Sequence, residues 1–246
     1  MNKIYSNNYP IINLYKKASS KSEIVTQMIY GEGFKIIGRS LKWLKIKIKE
    51  DEYIGYIKKQ KFISYIKPTH KVSVLSARIY KNINFKNKTA ELPYGSKLKI
   101  DDTYSKFSRL HNSWVETRNI KPIKYKNKNI FKDIKIFKNI KYIWGGKSFK
   151  GIDCSALIQV CLNFNNKFCP RDSGQQIRFF RRNINLKNIR KNDIIYWKGH
   201  VAVALSNKKL IHAYGPRKKT VIMNISNTIK LIRKTANLKV ISIKRI

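Results

Sequence analysis

Tyr142-Ile143-Trp144-Gly145-Gly146-Lys147-Ser148-Phe149-Lys150-Gly151-Ile152-Asp153-Cys154-Ser155-Ala156-Leu157 is the stretch whose reading decides the fold. A glycine-punctuated loop gives way at Asp153, a good N-cap, to a run in which Ala156, Leu157, Val160, Cys161 and Phe164 recur on one helical face. Cys154 therefore stands where loop becomes helix. The free backbone N–H groups and positive dipole end of a helix start favour thiolate over thiol, so this placement predicts a lowered Cys154 pKa and a candidate nucleophile. Its polar neighbours Asp153 and Ser155 set it apart from Cys161, which lies on the apolar face and reads as a core cysteine.

A thiolate nucleophile needs a base, and imidazole is the usual one. The chain has 4 histidines, His70, His111, His200 and His212. His200 opens a strand after Gly199, and His212 lies in the next strand, with Ser206-Asn207-Lys208 as turn material between them. A hairpin turning near Ser206 puts both imidazoles on one side of a sheet, facing each other or nearly so. One would take the thiol proton while the other orients it through the second ring nitrogen. A zinc site built from Cys154, Cys161, Cys169, His200 and His212 is the competing reading, and the absence of any Cys-x-x-Cys or His-x-x-x-His spacing argues against it. Cys169, before Pro170, reads as a loop residue. The sequence calls for no cofactor and no metal.

Upstream of this core the texture is that of short strands. In Trp43-Leu44-Lys45-Ile46-Lys47-Ile48 the apolar residues alternate with lysines, as in a strand with one face on a core and one in water. Tyr30-Gly31-Glu32 is echoed by Tyr94-Gly95-Ser96, and Trp43-Leu44 by Trp114-Val115, at an offset of about 65 to 70 residues, which predicts two copies of one small all-β unit. Between Lys121 and Tyr142, Ile130, Phe131, Ile134, Phe137 and Ile140 recur at steps of three and four, which predicts a helix at the border of a third domain. Further on, apolar stretches from Ala156 to Phe164 and from Gln175 to Phe180 precede strands at 194–197, 201–205, 210–213 and 221–225. Helices followed by a meander-like sheet make an α+β domain.

Composition narrows the function classes. With 54 Lys+Arg against 13 Asp+Glu the formal charge is +41 over 246 residues, yet 42% hydrophobic and 12% aromatic content is that of a folding chain, not a disordered one. The lysines run from Lys3 to Lys244 without clustering and accompany many Ile and Asn, so the charge reads as background rather than a specific nucleic-acid surface. Three cysteines in unpaired spacing imply no disulfide framework. The N-terminal residues carry no signal-peptide core, and the longest apolar run, Val201 to Leu205, is far short of the ~20 residues of a membrane span. A soluble, cytoplasmic protein with no membrane partner is expected.

Taken together, Tyr142-Ile143-Trp144-Gly145-Gly146, Gly151-Ile152-Asp153-Cys154-Ser155-Ala156-Leu157, Pro170-Arg171-Asp172-Ser173 with Gln176, Gly199-His200-Val201 and Ile211-His212-Ala213 resemble the NlpC-type cysteine peptidases of bacterial cell-wall metabolism. The upstream units resemble bacterial Src-homology-3-type barrels. The resemblance implies an α+β, papain-like catalytic domain over 125–246, its N-terminal helices packed on an antiparallel sheet, preceded by two small all-β barrels over 1–66 and 67–124. It implies a γ-D-glutamyl-L-diamino-acid endopeptidase in which Cys154 attacks, His200 is the base and His212 orients His200. In this arrangement Asp153, Ser155 and Ser173 would bind the free amine of an N-terminal L-Ala, Trp144 would wall the pocket, and Glu32 and Tyr56 are possible barrel contributions to it. Ser173 and Gln176 also have capping-box spacing. Ala156 departs from the glycine usual after Cys-Ser. The implied substrate is a short peptidoglycan-derived peptide met in murein recycling; a wall-fragment binder or a hydrolase of intact sacculus is the alternative.

Overall fold

The protein is described by a computed structural model covering residues 3–83 and 87–246. The chain divides into two compact units, one of Met1–Lys126 with Lys147–Phe149 and Asn163–Asn166, the other of Asn127–Gly146, Lys150–Leu162 and Lys167–Ile246.

The first unit opens with β1 (Ile4–Ser6), β2 (Ile11–Tyr15), β3 (Ile24–Ile29), β4 (Gly33–Arg39), β5 (Trp43–Ile48), β6 (Ile54–Lys58) and β7 (Ile63–Ser64), joined in the order β3-β2-β6-β5-β4-β1-β7. The period-2 pattern of β5 is realised: Leu44, Ile46 and Ile48 are buried beside Leu14, Met28, Phe34 and Ile57, while Lys45 is exposed. A second all-β region follows, with β8 (His70–Val72), β9 (Ser76–Tyr80), β10 (Lys88–Pro93), β11 (Lys97–Leu98), β12 (Asp102–Tyr104), β13 (Phe107–Leu110), β14 (Ser113–Glu116) and β15 (Ile120–Pro122). These make a sheet β10-β9-β14-β13-β12 and a sheet β11-β8-β15 over a core of Val72, Ala77, Leu92, Leu98 and Val115.

The sequence echo has a geometric cause. Gly31 and Gly95 both take left-handed backbone, φ +78° and +83°, which L side chains rarely adopt. The two turns also meet: the Lys97 N–H donates to the Tyr30 carbonyl at 2.9 Å, and a Cβ on Gly31 would lie 2.0 Å from the Lys97 carbonyl oxygen.

The helix expected between Lys121 and Tyr142 does not form. Only Ile134–Phe137 is helical, and as a short 3₁₀ turn. Phe131, Ile134 and Phe137 are the buried residues, a strict step of three. That is the period of a 3₁₀-helix, whose poor hydrogen-bond geometry limits it to short runs, and Asn139 at φ +68° follows the turn. The short strands β16 (Lys147–Ser148) and β17 (Gly151–Ile152) then lead to the helices.

In the second unit, α1 (Cys154–Phe164) is buried along nearly its whole length, polar Ser155 and Gln159 included, rather than on one face alone. The helix α2 (Ser173–Phe179) follows, then β18 (Ile194–Trp197), β19 (His200–Ala204), β20 (Lys209–Tyr214) and β21 (Lys219–Asn224). These four strands form the expected antiparallel meander. The sequence reading stopped there, whereas the chain continues into α3 (Ile225–Ala236) and returns with β22 (Val240–Lys244) beside β18, giving the order β21-β20-β19-β18-β22. Asn224 ends β21 and caps α3, its side chain accepting from the Asn227 N–H at 3.2 Å. Ile225 and Ile232 of α3 join Ala202, Ala204 and Leu210 of the sheet in one apolar cluster. Among the described residues no helix is long and apolar enough to cross a membrane.

Candidate active site

Cys154 is the first residue of α1 and is 5% exposed. Asp153 is the cap that the sequence predicts, its Oδ1 accepting from the Ala156 N–H at 2.8 Å. The same carboxylate does much more. Its Oδ2 accepts from the Gly145 N–H at 2.9 Å, in the Trp144-Gly145-Gly146 turn, and Ser155 Oγ donates to Oδ1 at 3.2 Å. Arg171, 1% exposed, forks onto both oxygens at 3.0 and 2.6 Å and also donates to Ser155 Oγ at 2.9 Å. Gln176 of α2 donates to the carbonyls of Ser155 (3.0 Å) and Pro170 (2.9 Å).

These contacts revise one expectation. Gln176 does not close a capping box with Ser173, because Asp172, in extended backbone, is the N-cap of α2 and the Gln176 side chain reaches the Ser155 and Pro170 carbonyls. Asp153 meets Arg171, Gly145, Ser155 and Ala156 with its two oxygens. Arg171 and Gln176 stand in the motif that carries the family resemblance, but the sequence reading gave Arg171 no role and Gln176 only a capping one; their contacts with the Cys154 end of α1 are what the structure adds.

The expected depression of the Cys154 pKa is also overturned. Burial pushes the thiol up to about 12, and the Asp153 carboxylate adds to the rise. The N–H groups of Val201 and Ser155 and the Arg171 guanidinium act in the opposite direction without winning. The Val201 contact is informative in itself, since it sets the Cys154 sulfur beside the residue that follows His200.

β19 and β20 pair with Val203 opposite Ile211 and Ala204 opposite Leu210, which makes His200 and His212 diagonal neighbours on one face. Their rings meet, His200 Nε2 lying 2.9 Å from His212 Nδ1. Burial lowers His200 to about 4, and burial reinforced by the neighbouring His200 lowers His212 to about 3, so both are neutral at pH 7. His212 is wholly buried, stacks on Tyr214 with ring centroids 4.7 Å apart, and turns Nε2 toward Met223 Sδ at 3.4 Å. For His200 to accept a proton from the thiol, the His200–His212 bond must carry its proton on His200 Nε2, leaving Nδ1 as the acceptor. Trp144 is 58% exposed.

Ser173 is half-buried at the start of α2. Cys161 and Cys169 are buried. His70 and His111 belong to the first unit, where the His70 ring bonds Thr69 Oγ1 at 2.9 Å. Glu32 is also in that unit, buried and held by Lys147 Nζ at 2.7 and 3.0 Å and by the Ile29 N–H at 2.8 Å. The Tyr56 ring lies under Lys45 Nζ at 5.9 Å.

Residues 139–236 match the NlpC/P60 family, and residues 14–62 match the bacterial dipeptidyl-peptidase Sh3 domain. The chain is similar to a gamma-D-glutamyl-L-lysine dipeptidyl-peptidase of Bacillus cereus, 24% identical over 79% of this chain and 68% of the relative. It is likewise similar to the enzyme of that name from Bacillus subtilis, 23% identical over 84% and 77%. The crystal structure of an NlpC/P60 family protein from Bacillus cereus superposes with a TM-score of 0.84 at 18% identity, covering 98% of this chain and 99% of that one, a likeness of fold. The chain thus carries an NlpC/P60 domain at residues 139–236, preceded by a bacterial dipeptidyl-peptidase Sh3 domain at residues 14–62.

Proposed function

We propose that the protein is a cysteine peptidase that hydrolyses the γ-D-glutamyl–diamino-acid bond of short peptidoglycan-derived peptides such as L-Ala-γ-D-Glu-diamino acid. The observation that carries this reading is the His200–His212 bond beside the Cys154 sulfur at the start of α1. The names of the two Bacillus relatives supply the bond type and favour L-Lys as the diamino acid.

In the reaction, His200 Nδ1 takes the Cys154 proton as the sulfur attacks the γ-carbonyl carbon, while His212 holds the imidazole in place. The negative oxygen that develops is met by backbone N–H at the start of α1. His200 returns its proton to the departing amine of the diamino acid, leaving L-Ala-γ-D-Glu as a thioester on Cys154. Water, deprotonated by His200, then releases the dipeptide and restores the thiol. Asp153, Ser155, Ser173 and Trp144 form the substrate-contact set of this proposal. The segments 1–66 and 67–124 are read as two Src-homology-3-type barrels.

Mass spectrometry of the tripeptide incubated with wild type and with Cys154→Ala tests the assignment: cleavage should vanish in the variant, and undiminished cleavage would sink it. The reading includes a cytoplasmic role in recycling, which short, already released peptide substrates support. A preference for intact sacculus over tripeptide would reverse both.

A further inference from the structure

Arg171 has no part in the chemistry just described, yet it is among the most deeply buried side chains of the protein. A guanidinium leaves water only for strong compensation, and here that compensation includes one carboxylate and one hydroxyl on residues flanking Cys154. The Asp153 carboxylate in turn holds the Gly145 turn and the first turn of α1. Three separate pieces of chain therefore converge on a single ion pair: the 144–146 turn, the start of α1 and the segment before α2. Gln176 adds a parallel tie from α2 to the Ser155 carbonyl.

We propose that Arg171 is a positioning residue for the reaction, fixing the Cys154 end of α1 through its fork onto Asp153 and Ser155 and balancing the carboxylate adjacent to the nucleophile. The proposal rests on the reading of Cys154 as nucleophile.

The charge-balancing part follows from what faces the thiol. Asp153 disfavours the thiolate and Arg171 favours it. From other elements the phenols of Tyr142 and of Tyr196 on β18 act electrostatically with the Cys154 thiol, and His200 on β19 precedes Val201, whose N–H meets the sulfur. Arg171 is the one guanidinium or ammonium among these groups. Without it, the Asp153 charge acts on the thiol uncompensated.

Three variants test this. Arg171→Lys keeps the charge and loses the fork; it should fold by circular dichroism and lose roughly tenfold or more in kcat on L-Ala-γ-D-Glu-L-Lys with little change in KM, as expected for a misplaced nucleophile. Arg171→Met should shift the alkylation of Cys154, followed by peptide mapping, to higher pH than in wild type. Arg171→Met with Asp153→Asn removes both charges and should return the alkylation profile to that of wild type while kcat stays low. If Arg171→Met alone does not fold, the lysine and double variants decide. Full kcat in Arg171→Lys, or an alkylation profile of the double variant still displaced to high pH, overturns the proposal. Cleavage that survives Cys154→Ala would instead remove the nucleophile assignment, whatever the Arg171 variants do.

Discussion

Cys154 holds its proton at rest. With burial and Asp153 keeping the thiol at about 12 and burial keeping His200 at about 4, the nucleophile is made by proton transfer as substrate arrives and is not stored as an ion pair. Alkylation of Cys154 by iodoacetamide should therefore keep accelerating from neutral to strongly alkaline pH; a plateau reached at or below pH 7 would contradict this. The histidines make a second prediction. Their folded pKa values lie below the ordinary 6.5, so between pH 6.5 and about 4 the unfolded chain binds more protons, and stability present above pH 6.5 is lost as pH falls through that window. Thermal melts should show this loss, and His212→Asn should blunt it. The same variant should lower kcat by about 10²- to 10⁴-fold if orienting His200 is worth what general-base catalysis usually is. The identity of these three residues was legible in the sequence, because a helix cap and a hairpin are local. Their protonation was not, since desolvation is set by everything packed around them.

At the scale of elements, local signals succeeded where the backbone pattern and the tertiary environment agree. The alternating residues of β5 and the start of α1 fall where their periods put them. The segment 121–142 shows the failure. Steps of three and four suit both helix types, and it was the strict step of three at Phe131, Ile134 and Phe137 that pointed to 3₁₀ turns. The helix α3 was passed over because its cap, Asn224, also ends a strand. Replacing that cap, Asn224→Ala, should cost about 1 kcal/mol, read as a lower midpoint in urea. Gly31→Ala should cost more than an ordinary surface change, because it combines a left-handed backbone with a Cβ 2.0 Å from the Lys97 carbonyl oxygen. Gly31→Ala tolerated without loss of midpoint would show that the turn can move.

At the scale of the whole molecule, the charge of +41 is the most visible property and the least connected to the chemistry. No lysine or arginine is needed to break the bond; Arg171 acts at a distance of one residue, and the rest can act only through the long-range field. Muropeptides carry free carboxylates, so that field should favour their capture. Raising salt beyond about 0.15 M, where the screening length is about 8 Å, should raise KM for the tripeptide and leave kcat unchanged. A salt-independent KM would make the charge irrelevant to catalysis. By itself the sequence pointed to an α+β domain, to Cys154 as a candidate nucleophile and to the two histidines as its candidate partners, because each is announced by features within a dozen residues. The tertiary structure alone decided that Asp153 is bound by Arg171 from 18 residues away, that Glu32 is spent on Lys147, and that the site rests neutral. Ion pairs between distant segments and the removal of water leave no periodic trace in a chain, which is why no spacing could have shown them.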